Sequence, residues 1–191
     1  MIKDNIYLTQ PIPDGYSWSI VSRLGHILNE IEKNYGKRDP IFTILGIELT
    51  KKTIPQIWFP NNCGHIIIQI TDNCIKDMAE AVFQVAHEAV HCLNPVLFGQ
   101  ATVLEEGLAT YFAINYTNEH FPEKNTKPSD HRYQTAESMV RKLLDGRPKI
   151  IRHLRSIEPS LSKITKDLLL EIHPELAPEL AGQVTQSFAN L

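Results

Sequence analysis

Residues 87–91 read His87-Glu88-Ala89-Val90-His91, inside a stretch, 75–93, whose apolar positions recur at helical spacing. Four residues turn an α-helix by about 400° and advance it by about 6 Å. His87 and His91 therefore leave one face, where two ring nitrogens can reach a single Zn²⁺ at about 2.0–2.1 Å. Glu88 leaves about 100° further round. It flanks such an ion rather than ligating it, and a carboxylate so placed can take a proton from a metal-bound water. Phe83, Ala86 and Val90 give the pair an apolar surround. The competing explanation is a surface or core helix carrying two unrelated histidines.

Upstream of this helix, the apolar positions Ile20, Val21, Leu24, Ile27, Leu28 and Ile31 predict a one-faced helix over about 17–35. Gly36 suits its C-cap and Pro40 its stop. The first fifteen residues, with Pro11, Pro13 and Gly15, read as a loop. Segment 41–71 changes period. Ile41–Leu49 alternates, Gln56–Phe59 is a short apolar piece between prolines, and His65–Thr71 is the strongest strand signal in the chain. That last strand reads equally as a buried sheet member or as an exposed strand that an extended peptide could join. Downstream, helices are expected at about 100–117, 132–145, 148–156, 160–172 and 175–189, with a surface loop at 118–131. Helix, small mixed sheet, then helices is an α+β order with segregated elements. One domain over 1–191 is expected, in two lobes of about 1–95 and 96–191, the second mainly helical.

Composition sets the wider frame. A chain of 191 residues with 42% apolar content can bury a core. A net charge of -3 and the lack of a basic stripe argue against nucleic acid as a partner. Arg141, Lys142, Arg147, Lys149, Arg152 and Arg155 cluster, and the simplest account is a solvated helix face. No apolar run approaches the ~20 residues of a membrane span, and Met1–Ile6 lacks the pattern of a signal peptide. Cys63, Cys74 and Cys92 lack metal or redox spacing and are expected to be inert thiols in a reducing compartment. A cytoplasmic protein is expected, its oligomeric state open.

Two histidines leave a catalytic zinc one protein ligand short. The metzincin continuation needs a glycine at 94 and a histidine at 97; the chain has Asn94 and Leu97. The remaining source is a carboxylate on the next helix, where Glu105 and Glu106 open an apolar segment. Adjacent acids there also complement the helix dipole, and the residues alone do not choose between them.

The pattern His87-Glu88-x-x-His91 followed by Glu106-Gly107-Leu108-Ala109-x-Tyr111-Phe112 resembles the gluzincin metallopeptidases, the thermolysin and aminopeptidase branch of the zincins. The resemblance covers roughly residues 65–145. It implies a zincin-like fold, one zinc ion held by His87, His91 and Glu106, and Glu88 as general base. It leaves Glu105 beside the ligands or at the surface. It also implies that Tyr133, at the head of a later helix, donates to the tetrahedral intermediate, with His131 a weaker choice. The connection from His91 to Glu106 is shorter than is usual in the aminopeptidase branch, and the segment that recognises a substrate amine there is absent. The implied activity is therefore hydrolysis of peptide or protein substrates, without aminopeptidase specificity. The alternative is a catalytically silent zincin-like domain that binds metal or a partner. His26, His65, His120, His153 and His173 lack partners at ligand spacing and are expected to be structural or surface residues.

Overall fold

A computed structural model describes residues 5–96 and 100–191, apart from the side chain of Asn62. The start of the expected N-terminal loop, residues 1–4, and Leu97 lie outside these. The chain is α+β, as expected, with seven α-helices and a small mixed sheet among the described residues. The segment read as an N-terminal loop contains a minimal hairpin, β1 (Pro11–Ile12) with β2 (Gly15–Tyr16). Helix α1 (Ile20–Tyr35) starts three residues later than the periodicity alone suggests, because the Ser19 hydroxyl accepts from Ser22 N–H and caps it. It ends at Gly36, whose φ of 96° is open to glycine.

The sheet has three strands in the order β3-β5-β4. Strands β3 (Thr43–Thr50) and β5 (His65–Thr71) run parallel, while β4 (Gln56–Trp58) pairs antiparallel with β5 on its other side. This corrects one expectation. β5 is the central strand, paired with β3 along its length and with β4 over Ile67–Gln69, so it is the buried sheet member and not an exposed edge strand for a peptide to join. Its β-branched residues explain why: Ile66, Ile68 and Ile70 are fully buried, each stabilising the fold by roughly 1.5–3 kcal/mol relative to exposure. Backbone edges remain on the outer strands β3 and β4.

Helix α2 (Met78–His91) packs on this sheet and is capped by Asp77, whose carboxylate accepts from the N–H groups of Ala79 and Glu80. A buried amide ties the two elements. Gln84 Oε1 accepts from Thr71 N–H at 2.8 Å, and Gln84 Nε2 donates to Glu80 at 2.8 Å. Helix α3 (Val103–His120) runs three residues past its expected end, into the segment read as loop, and a single 3₁₀ turn follows at Pro122–Lys124. Helices α4 (His131–Leu144) and α5 (Ile150–Ile157) stand close to expectation. The helix expected at 160–172 divides, because Thr165 caps a new start, into a 3₁₀ turn at Leu161–Lys163 and α6 (Lys166–Ile172). The last expected helix shortens to α7 (Pro178–Thr185), with a separate 3₁₀ turn at Phe188–Asn190. One buried apolar cluster draws on α1, β5, α2, α3, α4, α5 and α7.

The basic cluster at 141–155 is not wholly solvated. Arg155 is buried, and its guanidinium donates to five backbone carbonyls: Tyr35, Gly36, Lys37, Leu93 and Pro159. These include carbonyls at the C-terminal ends of α1 and α2, where a cation offsets the negative end of the helix dipole. Its charge is spent on helix ends rather than on solvent.

Candidate metal centre

The centre is assembled where α2 and α3 pack side by side. On α2, the i,i+4 spacing brings the His87 and His91 rings to a centroid separation of 5.2 Å, with their Nε2 atoms 3.4 Å apart. Thr102 caps α3 by accepting from Glu105 N–H at 3.3 Å, so the chain turns into helix just before the two acids. Glu106 Oε2 then lies 3.2 Å from His87 Nε2 and 3.6 Å from His91 Nε2. Gly107 is what allows this proximity to continue into α4. A Cβ there would meet the Ala136 carbonyl oxygen and lie 2.7 Å from Val140 Cγ2, so α3 and α4 are in backbone contact.

Three donor atoms, two nitrogens and one carboxylate oxygen, thus enclose one point with separations of 3.2, 3.4 and 3.6 Å. A tetrahedral ion with arms of about 2.0–2.1 Å spaces its ligands by about 3.3–3.4 Å. The group fits a metal ion, and it is the one set of His, Cys, Asp or Glu among the described residues that does so.

Glu105 performs a different task from its neighbour. It is 2% exposed, and its Oε1 accepts from His91 Nδ1 at 2.9 Å. A carboxylate can only accept, so Nδ1 carries a proton, and Nε2 is the nitrogen that faces the centre and becomes a ligand once its own proton is lost. Of the two acids that the residues alone leave undivided, Glu106, the one the resemblance implies, faces the centre and Glu105 bonds to His91 from behind.

The electrostatics are those of histidines and carboxylates that hold one another in charged form. Burial disfavours a charged His91, but the Glu106 and Glu105 carboxylates outweigh it and raise the imidazole well above the usual histidine range near 6.5. Burial likewise opposes a charged Glu106, yet His91 and His87 hold its carboxyl far below the usual carboxylate range. Glu88 differs in sign: burial raises it, against the opposing pull of His87 and His91 and of the Ile57 backbone N–H on β4.

Tyr133, on the first turn of α4, stands over the centre with its ring 5.6 Å from that of His87. Burial, then the Glu106 and Glu88 carboxylates, raise its phenol, so it remains a proton donor at neutral pH. His131 is exposed and bonds locally to Thr135. Away from the centre, His26 and His120 pack about Tyr116: His26 Nδ1 lies 2.7 Å from the phenol and His120 stacks on the ring at 4.4 Å. Two features have no signal in the sequence. Ile57 contributes a backbone group, and Phe188, 4.8 Å from the Tyr133 ring, comes from the far end of the chain. Cys74 and Cys92 are buried and Cys63 exposed, all three unpaired.

Comparison with known protein families, with curated proteins and with solved structures returns no match. The centre therefore rests on its own geometry. No helix among the described residues is long and apolar enough to cross a membrane.

Proposed function

We propose that this chain is a zinc-dependent peptidase of zincin type that hydrolyses peptide bonds, with one Zn²⁺ held by His87, His91 and Glu106. The observation that carries the reading is the buried carboxylate of Glu88 beside three donors at tetrahedral spacing. Two imidazoles and a carboxylate form a donor set suited to zinc, and three protein ligands are the number of a catalytic site. His87, His91 and Glu106 would hold the ion, which would supply Lewis-acid chemistry that lowers the pKa of water and polarises the scissile carbonyl.

The remaining chemistry belongs to side chains of this protein. Glu88 takes the water's proton on a carboxylate oxygen and passes it to the leaving amine nitrogen. The Tyr133 hydroxyl donates to the oxygen that gains charge as the carbonyl becomes tetrahedral. Glu105 keeps the His91 ring in its ligating orientation and tautomer. The outer edge of β4, beside Ile57, aligns an extended substrate by main-chain hydrogen bonds. Three free cysteines fit a cytoplasmic setting.

Metal analysis of the purified protein, followed by a chelator-sensitive assay on a broad peptide pool with Glu88→Gln as control, tests the proposal. Stoichiometric zinc with cleavage that the control lacks supports it. Stoichiometric zinc without cleavage favours the catalytically silent metal-binding domain, and absence of zinc binding removes the peptidase reading and that one.

A further inference from the structure

Tyr133 is the one proposed catalytic side chain that sits on neither metal-bearing helix, so its place at the centre depends on how α4 and its neighbours hold it. The segment Gln186–Phe188 lies against both α3 and α4. Its backbone is stitched to the entrance of α3: Val103 N–H donates to the Gln186 carbonyl at 3.0 Å, and Phe188 N–H donates to the Ala101 carbonyl at 3.0 Å. Thr102 and Ser187 form an antiparallel bridge between these bonds. Thr102 is also the cap that orders Glu105, so the stitch is anchored one turn from the acids. From this anchor the Phe188 ring reaches the first turn of α4. It packs on Tyr133 at 4.8 Å, with interplanar angle 47°, while the Arg132 guanidinium lies 5.6 Å from its centroid.

We propose that Phe188 is a positioning residue, holding the Tyr133 ring against His87 and so fixing where the phenol meets the substrate oxygen. This rests on the peptidase reading for its catalytic consequence, though not for its geometry. Tyr133 is only partly buried at the open end of a helix, and a tyrosine has two rotatable side-chain bonds. The Phe188 ring at 4.8 Å and the His87 ring at 5.6 Å both restrict that rotation. Without the Phe188 ring, the side chain gains room to turn toward solvent, and a donor misplaced by about 1 Å costs up to 10²-fold in rate. Because the stitch runs through backbone groups, replacing the Phe188 side chain leaves the α3 entrance tied.

The test has a structural and a kinetic arm. In the metal-free, isotope-labelled chain, proton–proton NOEs between the Tyr133 and His87 rings are compared in the unsubstituted protein, Phe188→Ala and Phe188→Tyr. For the zinc-loaded forms, zinc content, kcat and KM are measured on a peptide cleaved in the pool assay. The expected result for Phe188→Ala is loss of the ring NOEs, full zinc content, and kcat down about tenfold with KM nearly unchanged. Phe188→Tyr restores both readouts, and adding Phe188→Ala to Tyr133→Phe slows the enzyme no further. Persistent NOEs with unchanged kcat overturn the proposal, as does loss of zinc, which would place the effect on the ligands. If Phe188→Ala does not fold, Phe188→Leu, which fills the space without a ring, is judged by the same criteria. Should the unsubstituted protein cleave nothing, the peptidase reading fails while the NOE arm still decides the positioning role.

Discussion

His91 Nδ1 donates to Glu105 Oε1 at 2.9 Å, on the side of the ring away from the centre. The bond sets ring orientation and tautomer at once, and outer partners of this kind are worth about 10–100-fold in metal affinity. Glu105→Ala is expected to weaken zinc by about that factor, and Glu106→Ala by more, since it removes a donor atom. Competition against a chromophoric chelator measures both. The reverse order would make Glu105 the ligand.

Glu88→Gln keeps the shape of the side chain and removes its basicity. Zinc content is expected to stay near one per chain while hydrolysis falls by about 10²–10⁴-fold, the usual contribution of general acid–base catalysis. Retained turnover would assign the proton transfer to another group.

The pH dependence of stability differs in sign at the two ends of the scale. His91 binds its proton more tightly folded than unfolded. Its contribution is complete below the unfolded value of about 6.5 and is lost as pH rises through the folded value. Glu106 has a depressed folded value, so its contribution is present above the unfolded glutamate value and disappears as pH falls through the folded one. The metal-free chain should therefore lose Tm as pH is raised above about 6.5. Zinc competes with the His91 proton, so apparent zinc affinity should rise over the same range. Thermal melts with and without zinc, from mildly acidic to alkaline pH, measure both trends.

Gly107→Ala separates helix propensity from packing. In an open helix the change gains about 1 kcal/mol. Here the new methyl meets the Ala136 carbonyl and Val140, and overpacking of this kind costs about 1–3 kcal/mol. A net destabilisation by urea unfolding is expected; a gain would mean that α3 and α4 are not in backbone contact.

Arg155→Met retains the length of the stem and removes every donor. Five carbonyls lose this donor, and among the described residues only Leu93 keeps another, the Asp39 N–H at 2.9 Å; a loss of about 3 kcal/mol or more is expected, since hydrogen bonds to a charged group are worth about 1.5–3 kcal/mol each. Arg155→Lys, with three donors instead of five, should recover part of it. Urea unfolding of both variants measures the difference.

Local information explains what the sequence made legible. The i,i+4 pair on α2, the strand at His65–Thr71 and the helical periods all follow from side-chain spacing within one element. The donor set needs only one further fact, that α2 and α3 are neighbours, which a short connection implies. Features made between distant segments were not legible. Nothing in Gln56–Phe59 shows that it would pair with β5 and make β5 the central strand. Arg155 looked like its solvated neighbours because a charge on a helix face carries no mark of the carbonyls that await it. Phe188 meets Tyr133 through a backbone bridge, and a bridge between single residues leaves no pattern in composition or period.

Arg155 also orders events in time. It is synthesised 62 residues after Leu93 and about 120 after Tyr35, whose carbonyls it serves. Until that residue has emerged from the ribosome, the Tyr35, Gly36 and Lys37 carbonyls at the trailing end of α1 lack the donor that closes them in the finished fold, while Leu93 beyond α2 has the Asp39 N–H as an earlier partner. The clamp that joins the ends of α1 and α2 therefore closes late in synthesis, after His87 and His91 have been made.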